Sequence, residues 1–183
     1  MCIRDRRNVG VNPTRSGIIT ALHMMKARLE LMDEREVAGE PVADVLVRTS
    51  DLQGIELSGE TVPLLIDEIP VIAVAAAVAN GETVIKDAQE LRVKESDRIE
   101  SSISWLRKAG INAEGTTDGM IIAGNEKING GSFQSYDDHR LAMSLGIAGL
   151  ISEQPITIAD PDVAAISYPG FWGTIKELGG LVA

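Results

Sequence analysis

The chain of 183 residues has room for one domain of ordinary size, or two small ones, and can bury a core without disulfides or a structural metal. Hydrophobic residues make up 44% and charged residues 24%, a globular composition, and 17 basic against 27 acidic side chains give a net charge of -10, which argues against general nucleic-acid or anionic-membrane binding. The single cysteine, Cys2, excludes a disulfide framework and a four-cysteine zinc site, and without a membrane-length apolar run or a signal-peptide core a cytosolic compartment is expected.

Residues 1–6 carry no periodicity and no turn logic, so they read as a non-native start, and the fold is expected to occupy 7–183 as one domain. Ile18, Leu22 and Met25 are spaced as on one helix face, predicting a helix over 14–27. Residues 29–32, 45–48 and 54–57 read as strands, with Asp51 and Gly54 as turn residues. The run 71–79 is apolar and alanine-rich on every side, the mark of a buried helix, and Asn80-Gly81 stops it. A strand at 82–86 precedes an amphipathic helix at 97–109, with Ile99, Ile103 and Leu106 on one face and Gly110 at its end. Residues 112–123 suggest a hairpin turning at Asp118-Gly119. A second all-round apolar helix is expected at 141–151, a strand at 155–158, and a last helix at 171–178 stopped by Gly179-Gly180. Met24, Met25 and Trp105 read as core.

The series acidic turn, apolar helix, strand, loop, helix, glycine runs from Asp67 to Gly110 and again from Asp137 to Gly179, offset by about 70 residues. Residues 13–30 echo 95–112, with Arg15 falling on Arg98 across a one-residue gap. The pattern predicts a pseudo-symmetric α/β domain built from βαβ-type units with added hairpin strands, because a solenoid needs no fully buried helix.

Three charged clusters lie at expected helix starts: Asp67-Glu68 before Pro70, Arg92 to Arg98, and Asp137 to Arg140. Asp97 can cap its helix, with Glu100 completing a capping box. A helix N-terminus favours an anion, and Lys94, Arg98 and Arg140 turn these ends into candidate phosphate or carboxylate sites. Taken singly, Asp67, Asp97 and Asp137 are explained as plain N-caps, Lys94 and Arg98 as a solvated helix edge, and His139 as a hydrogen-bonded structural histidine. His23 is the only other histidine, which argues against a histidine-rich metal site. No glycine-rich phosphate loop, H-E-x-x-H or G-x-S-x-G is present. The coincidence of acid and base at three helix starts in a repeated architecture is what favours function.

Residues 91–98 (LRVKESDR) and 138–143 (DHRLAM) resemble the signature segments of the 5-enolpyruvylshikimate-3-phosphate synthase family, the 3-phosphoshikimate 1-carboxyvinyltransferases. Residues 12–15 (NPTR), 66–70 (IDEIP) and 167–169 (SYP) look like the family in the same order, so the resemblance covers the chain from about Val9. Family members are more than twice as long, which implies the C-terminal one of two domains and a missing N-terminal domain. The implied fold is repeated βαβαββ units with buried parallel helices, an inside-out α/β barrel, with helix N-termini facing the cleft between domains.

The resemblance further implies transfer of the enolpyruvyl group from phosphoenolpyruvate to the 5-hydroxyl of shikimate 3-phosphate, on the route to chorismate and the aromatic amino acids. No metal or organic cofactor is implied; the partners are the two small-molecule substrates and the missing domain. By the same resemblance Asp67 accepts the proton from the 5-hydroxyl and Glu95 is the acid/base at the methylene carbon. Lys94 lies near shikimate 3-phosphate, Arg98 and Arg140 clamp phosphoenolpyruvate, and His139 supports that site. The sequence departs from the family at residues 164–166 (AAI), where some members carry a lysine, and at Glu90, where others have asparagine. With half of the cleft absent, the isolated chain is expected to be inactive. The rival readings are the enolpyruvyl transferase acting on UDP-N-acetylglucosamine and a non-catalytic anion-binding domain.

Overall fold

The structure, a computed structural model, describes residues 3–124 and 127–182. Strands β1 (Ile3–Gly10), β2 (Arg28–Val37) and β3 (Glu40–Arg48) form an antiparallel sheet in the order β1-β3-β2. Ile3–Arg6, set outside the fold by the sequence reading, pair with Val45–Arg48; Met1 and Cys2 lie outside the described residues. β1 is an edge strand whose side chains from Arg4 to Asn8 are all exposed, so backbone bonding to β3 holds it and it needs no apolar alternation. Helix α1 (Gly17–Met24) is shorter than the span 14–27, because Asn12 Oδ1 accepts from the Thr14 amide at 3.0 Å and holds a turn ahead of it. Met25 is buried and ends α1, whereas Met24 is exposed, against its reading as core. A Cβ on Gly17 would sit 2.7 Å from the Leu64 carbonyl, so only glycine lets α1 approach the next segment this closely.

The chain then lays down β4 (Glu56–Leu57), 3-10 turns over Gly59–Glu68, α2 (Ile69–Ala77), β5 (Glu82–Ile85), α3 (Arg98–Lys108), β6 (Asn112–Gly115) and β7 (Met120–Ala123). That order is βαβαββ. The sheet runs β4-β5-β7-β6, with β4 parallel to β5 and the other pairs antiparallel. A shorter echo follows: β8 (Gly131–Gln134), α4 (His139–Gly149), β9 (Ile156–Ala159) parallel to β8, and α5 (Phe171–Glu177). In both passages a 3-10 segment joins strand to helix, at Gln89–Val93 and Pro161–Ile166. Each closing glycine, Gly110 at φ 88 and Gly179 at φ 95, takes the left-handed conformation that ends a helix without a Cβ penalty.

The α2 helix is the centre of the core, with Ile69, Ile72, Ala73, Val74, Ala76 and Ala77 all buried as its composition requires. α3 turns Ile99, Ile103, Trp105 and Leu106 inward, each branched aliphatic contributing roughly 1.5–3 kcal/mol on burial. α4 departs from its reading as an all-round apolar helix: it starts at His139, stops at Gly149, and leaves Leu150 and Ile151 exposed.

Candidate active site

The N-termini of α2, α3 and α4 meet at one rim, and Arg98 is the joint. The first residue of α3, it is 1% exposed. Its Nε donates to Asp138 Oδ2 at 2.8 Å, its Nη2 to Asp138 Oδ1 at 3.3 Å and to Glu95 Oε2 at 2.7 Å, and its Nη1 to Asp67 Oδ1 at 3.1 Å. Asp138 is fully buried and also accepts from the Ser96 hydroxyl at 3.0 Å and from the Arg140 amide at 2.9 Å, which makes it the N-cap of α4. Burial pushes the Asp138 carboxyl up, but the Arg98 bond and charge, the Arg140 N–H and the Ser96 hydroxyl together hold it below its ordinary value. Burial likewise works against the Arg98 charge, and Asp138, Glu95 and Asp67 outweigh it and raise its pKa.

Asp67 faces the other two cations as well. Its Oδ1 lies 3.9 Å from Lys94 Nζ and its Oδ2 3.7 Å from Arg140 Nη2. Arg140 Nη1 donates to Glu68 Oε1 at 3.2 Å, and Lys94 also pairs with Glu90 one helical turn back. His139 Nδ1 stands 4.0 Å from Glu95 Oε1. Two buried polar atoms at this rim, His139 Nδ1 and Arg140 Nε, have no hydrogen-bond partner. The six sequence-predicted residues, Asp67, Lys94, Glu95, Arg98, His139 and Arg140, therefore belong to one constellation.

The capping pattern corrects the sequence reading in three places, the third being the capping box at α3, where Glu100 turns to Arg92 instead of the Asp97 amide. The cap of α4 is Asp138, not Asp137, and the residue ahead of α2 is Glu68, with no side-chain cap from it or from Asp67. Asp97 caps α3 as expected, accepting from Ile99 N at 3.1 Å and Glu100 N at 3.0 Å, while the Glu100 carboxylate lies 3.5 Å from Arg92. Arg15, aligned with Arg98 in the repeat, is exposed and lies two residues ahead of α1. Sequence reasoning gave no separate role to Asp138, Glu68 or Ser96. Their signal was adjacency to the cations, which does not tell a buried partner from a solvated neighbour.

The charge balance is unexpected for an anion site. Five carboxylates (Asp67, Glu68, Glu90, Glu95, Asp138) surround three cations (Lys94, Arg98, Arg140), so protein acids already occupy the donors that a ligand anion would use. The rim is open. Two hollows, about 230 Å³ between α1 and the first sheet and about 50 Å³ beside Trp105 and Phe133, lie away from it. At residues 164–166, where the resemblance departs from the family, Ala164 is buried and Ile166 is exposed.

Structural and sequence relatives agree on the family of the chain. The 3-phosphoshikimate 1-carboxyvinyltransferase of Geobacter sulfurreducens is 55% identical over 172 residues, covering 94% of this chain and 40% of that protein. The protein of the same name from Synechococcus sp. is 49% identical over 171 residues, 93% of this chain and 39% of its own. The structure of EPSP synthase from Acinetobacter baumannii superposes with a TM-score of 0.92 at 42% identity, covering 96% of this chain and 41% of that one. The enolpyruvyl transferase NikO from Streptomyces tendae shares the fold at a TM-score of 0.73 and 19% identity. The chain thus spans about two fifths of the length of the relatives it matches. Residues 6–175 match the family model for EPSP synthase (3-phosphoshikimate 1-carboxyvinyltransferase), and the chain belongs to that family.

Proposed function

We propose that the rim formed by α2, α3 and α4 is one face of an enolpyruvyl-transfer site, in a cytoplasmic enzyme that moves the enolpyruvyl group of phosphoenolpyruvate to the 5-hydroxyl of shikimate 3-phosphate and releases phosphate. The observation that carries this reading is the convergence of Asp67, Glu95, Lys94, Arg98 and Arg140 around one space, in a chain of this family.

The reaction removes a proton from a hydroxyl and adds one to a methylene carbon, so it needs acid–base groups on either side of the reacting centre. Asp67, one-third exposed, takes the hydroxyl proton. Glu95, about half exposed, serves the methylene carbon, with His139 beside it. Arg98 and Arg140 hold the carboxylate and phosphate of phosphoenolpyruvate, and Lys94 the shikimate 3-phosphate. Arg98 is closed off on its Asp138 side, so it reaches a ligand through Nη1 and Nη2, from which Asp67 and Glu95 must yield. The unpartnered His139 Nδ1 and Arg140 Nε gain partners when a polar ligand fills the rim. Fixed cations then stabilise charge as it shifts through the addition and elimination steps.

The test is phosphate release from both substrates by the chain alone and by the chain combined with the remaining part of the Geobacter sulfurreducens relative. The chain alone is expected to be silent and the combination to turn over, with Asp67→Asn abolishing turnover. Absence of turnover in a combination shown to be folded and assembled sinks the proposal.

A further inference from the structure

Asp67 is placed where a ligand anion would be expected. One oxygen faces Arg98 at 3.1 Å and Lys94 at 3.9 Å, the other faces Arg140 at 3.7 Å, and these are the three cations of the rim. Asp67 does not cap α2, and it is one-third exposed where Asp138 is fully buried. Asp138 remains on Arg98 whatever Asp67 does, so releasing Asp67 does not leave a bare buried guanidinium. The structure therefore separates a fixed counter-ion from an exchangeable one.

We propose that Asp67 is an affinity-setting counter-ion: in the empty site its carboxylate substitutes for the ligand's anionic group, and binding is an exchange in which that group displaces Asp67 from Arg98, Arg140 and Lys94. The exchange favours a phosphate dianion over a monocarboxylate, because only the more highly charged group outbids an acid already in place. It also orders events at the site. While it faces the three cations, the Asp67 carboxylate is turned away from a substrate hydroxyl, and it is free to face one once the anion is seated. This deepens the enolpyruvyl-transfer reading and rests on it for the identity of the anion, but the exchange itself is tested without turnover.

The probe is inorganic phosphate, titrated into the 183-residue chain and followed by NMR shifts of the Arg140 and Ile99 amides at the two helix starts. Asp67→Asn keeps the shape and removes the competing charge. The control is Asp137→Asn, which makes the same charge change at an exposed position beside the rim. The expected result is phosphate affinity on the order of tenfold higher in Asp67→Asn than in the Asp137→Asn control. Acetate is expected to bind weakly to every form. Equal or weaker phosphate binding in Asp67→Asn, or no binding in any form, overturns the proposal, as does an equal gain in both variants, which reports net charge alone. A tighter phosphate site in Asp67→Asn together with unchanged turnover in the combined enzyme would remove the acid–base role and leave the counter-ion role. Lost turnover with unchanged phosphate affinity would do the reverse.

Discussion

Two carboxylates from the starts of different helices bind the Arg98 guanidinium: Asp138 ahead of α4, with no exposed surface, and Asp67 ahead of α2, with a third of its side chain exposed. Asp138 completes its hydrogen bonds inside the protein, on Arg98, Ser96 and the α4 amides. Asp67 spreads over three cations at 3.1 to 3.9 Å, a looser set of contacts that an incoming group can replace. Both are aspartates beside an expected helix start. Burial, rather than residue type or spacing, divides the inner, structural layer of the rim from the outer, exchangeable one.

The sharpest way to break that division is Asp138→Asn. It leaves Arg98 buried with only its two outer partners, and removing one member of a buried pair typically costs about 3–5 kcal/mol. Denaturant unfolding is expected to show a loss in that range; a loss under about 1 kcal/mol would erase the distinction between layers. Acid tests the same residue. Its carboxyl titrates below the unfolded value of 3.8, so its contribution is complete above that pH and disappears as pH falls through the lowered folded value. The stability gap between wild type and Asp138→Asn should therefore be flat near neutrality and narrow below pH 3.8. A gap that stays constant into acid assigns the cost to lost shape rather than lost charge.

The inner layer was hidden in the sequence for a local reason. Asp137 and Asp138 are adjacent, and which one caps α4 depends on a backbone turn that residue types do not announce. Tyr136 and Asp137 both take left-handed conformations, φ 55 and 56, inside a turn closed by Asp138 N to Ser135 O at 3.0 Å. Such turns are expected at Asn-Gly, not Tyr-Asp. The outer layer was legible because the 91–98 and 138–143 segments resemble a known family, but its charge balance was not, since Glu68 and Glu90 become site groups only when the helices converge. In the fold, α2 was readable from its apolar run and the β6–β7 hairpin from Asp118-Gly119. β1 and β8 were not. The described side chains of β1 are exposed apart from the half-buried Val9, and Phe133 is the one buried side chain of β8, so neither writes a period-two pattern.

Two smaller changes sharpen the comparison at the helix starts. Asp97→Ala removes the α3 cap and is expected to cost about 1 kcal/mol in denaturant unfolding, well short of Asp138→Asn, because Asp97 keeps part of its surface in water. Asp137→Gly relieves a left-handed residue without touching the Asp138 contacts, and a gain of up to about 1 kcal/mol is expected. A loss at Asp137→Gly would mean that the Asp137 side chain, rather than the turn it occupies, supports the rim.

The smallest expected effect falls on the residue with the largest expected role in function. Asp67→Asn breaks three charge contacts, yet Asp67 keeps a third of its surface in water and reaches two of the cations only at 3.9 and 3.7 Å, so a contribution of about 0–1 kcal/mol, as for solvated pairs, is expected. The substitution also takes one acid from a cluster in which carboxylates outnumber cations, so relief of repulsion offsets the lost attraction. Stability by denaturant unfolding is therefore expected to stay within about 0.5 kcal/mol of wild type. A loss comparable to that of Asp138→Asn would place Asp67 in the inner layer, because an acid the fold cannot release cannot give up its cations to a ligand or turn to a substrate hydroxyl.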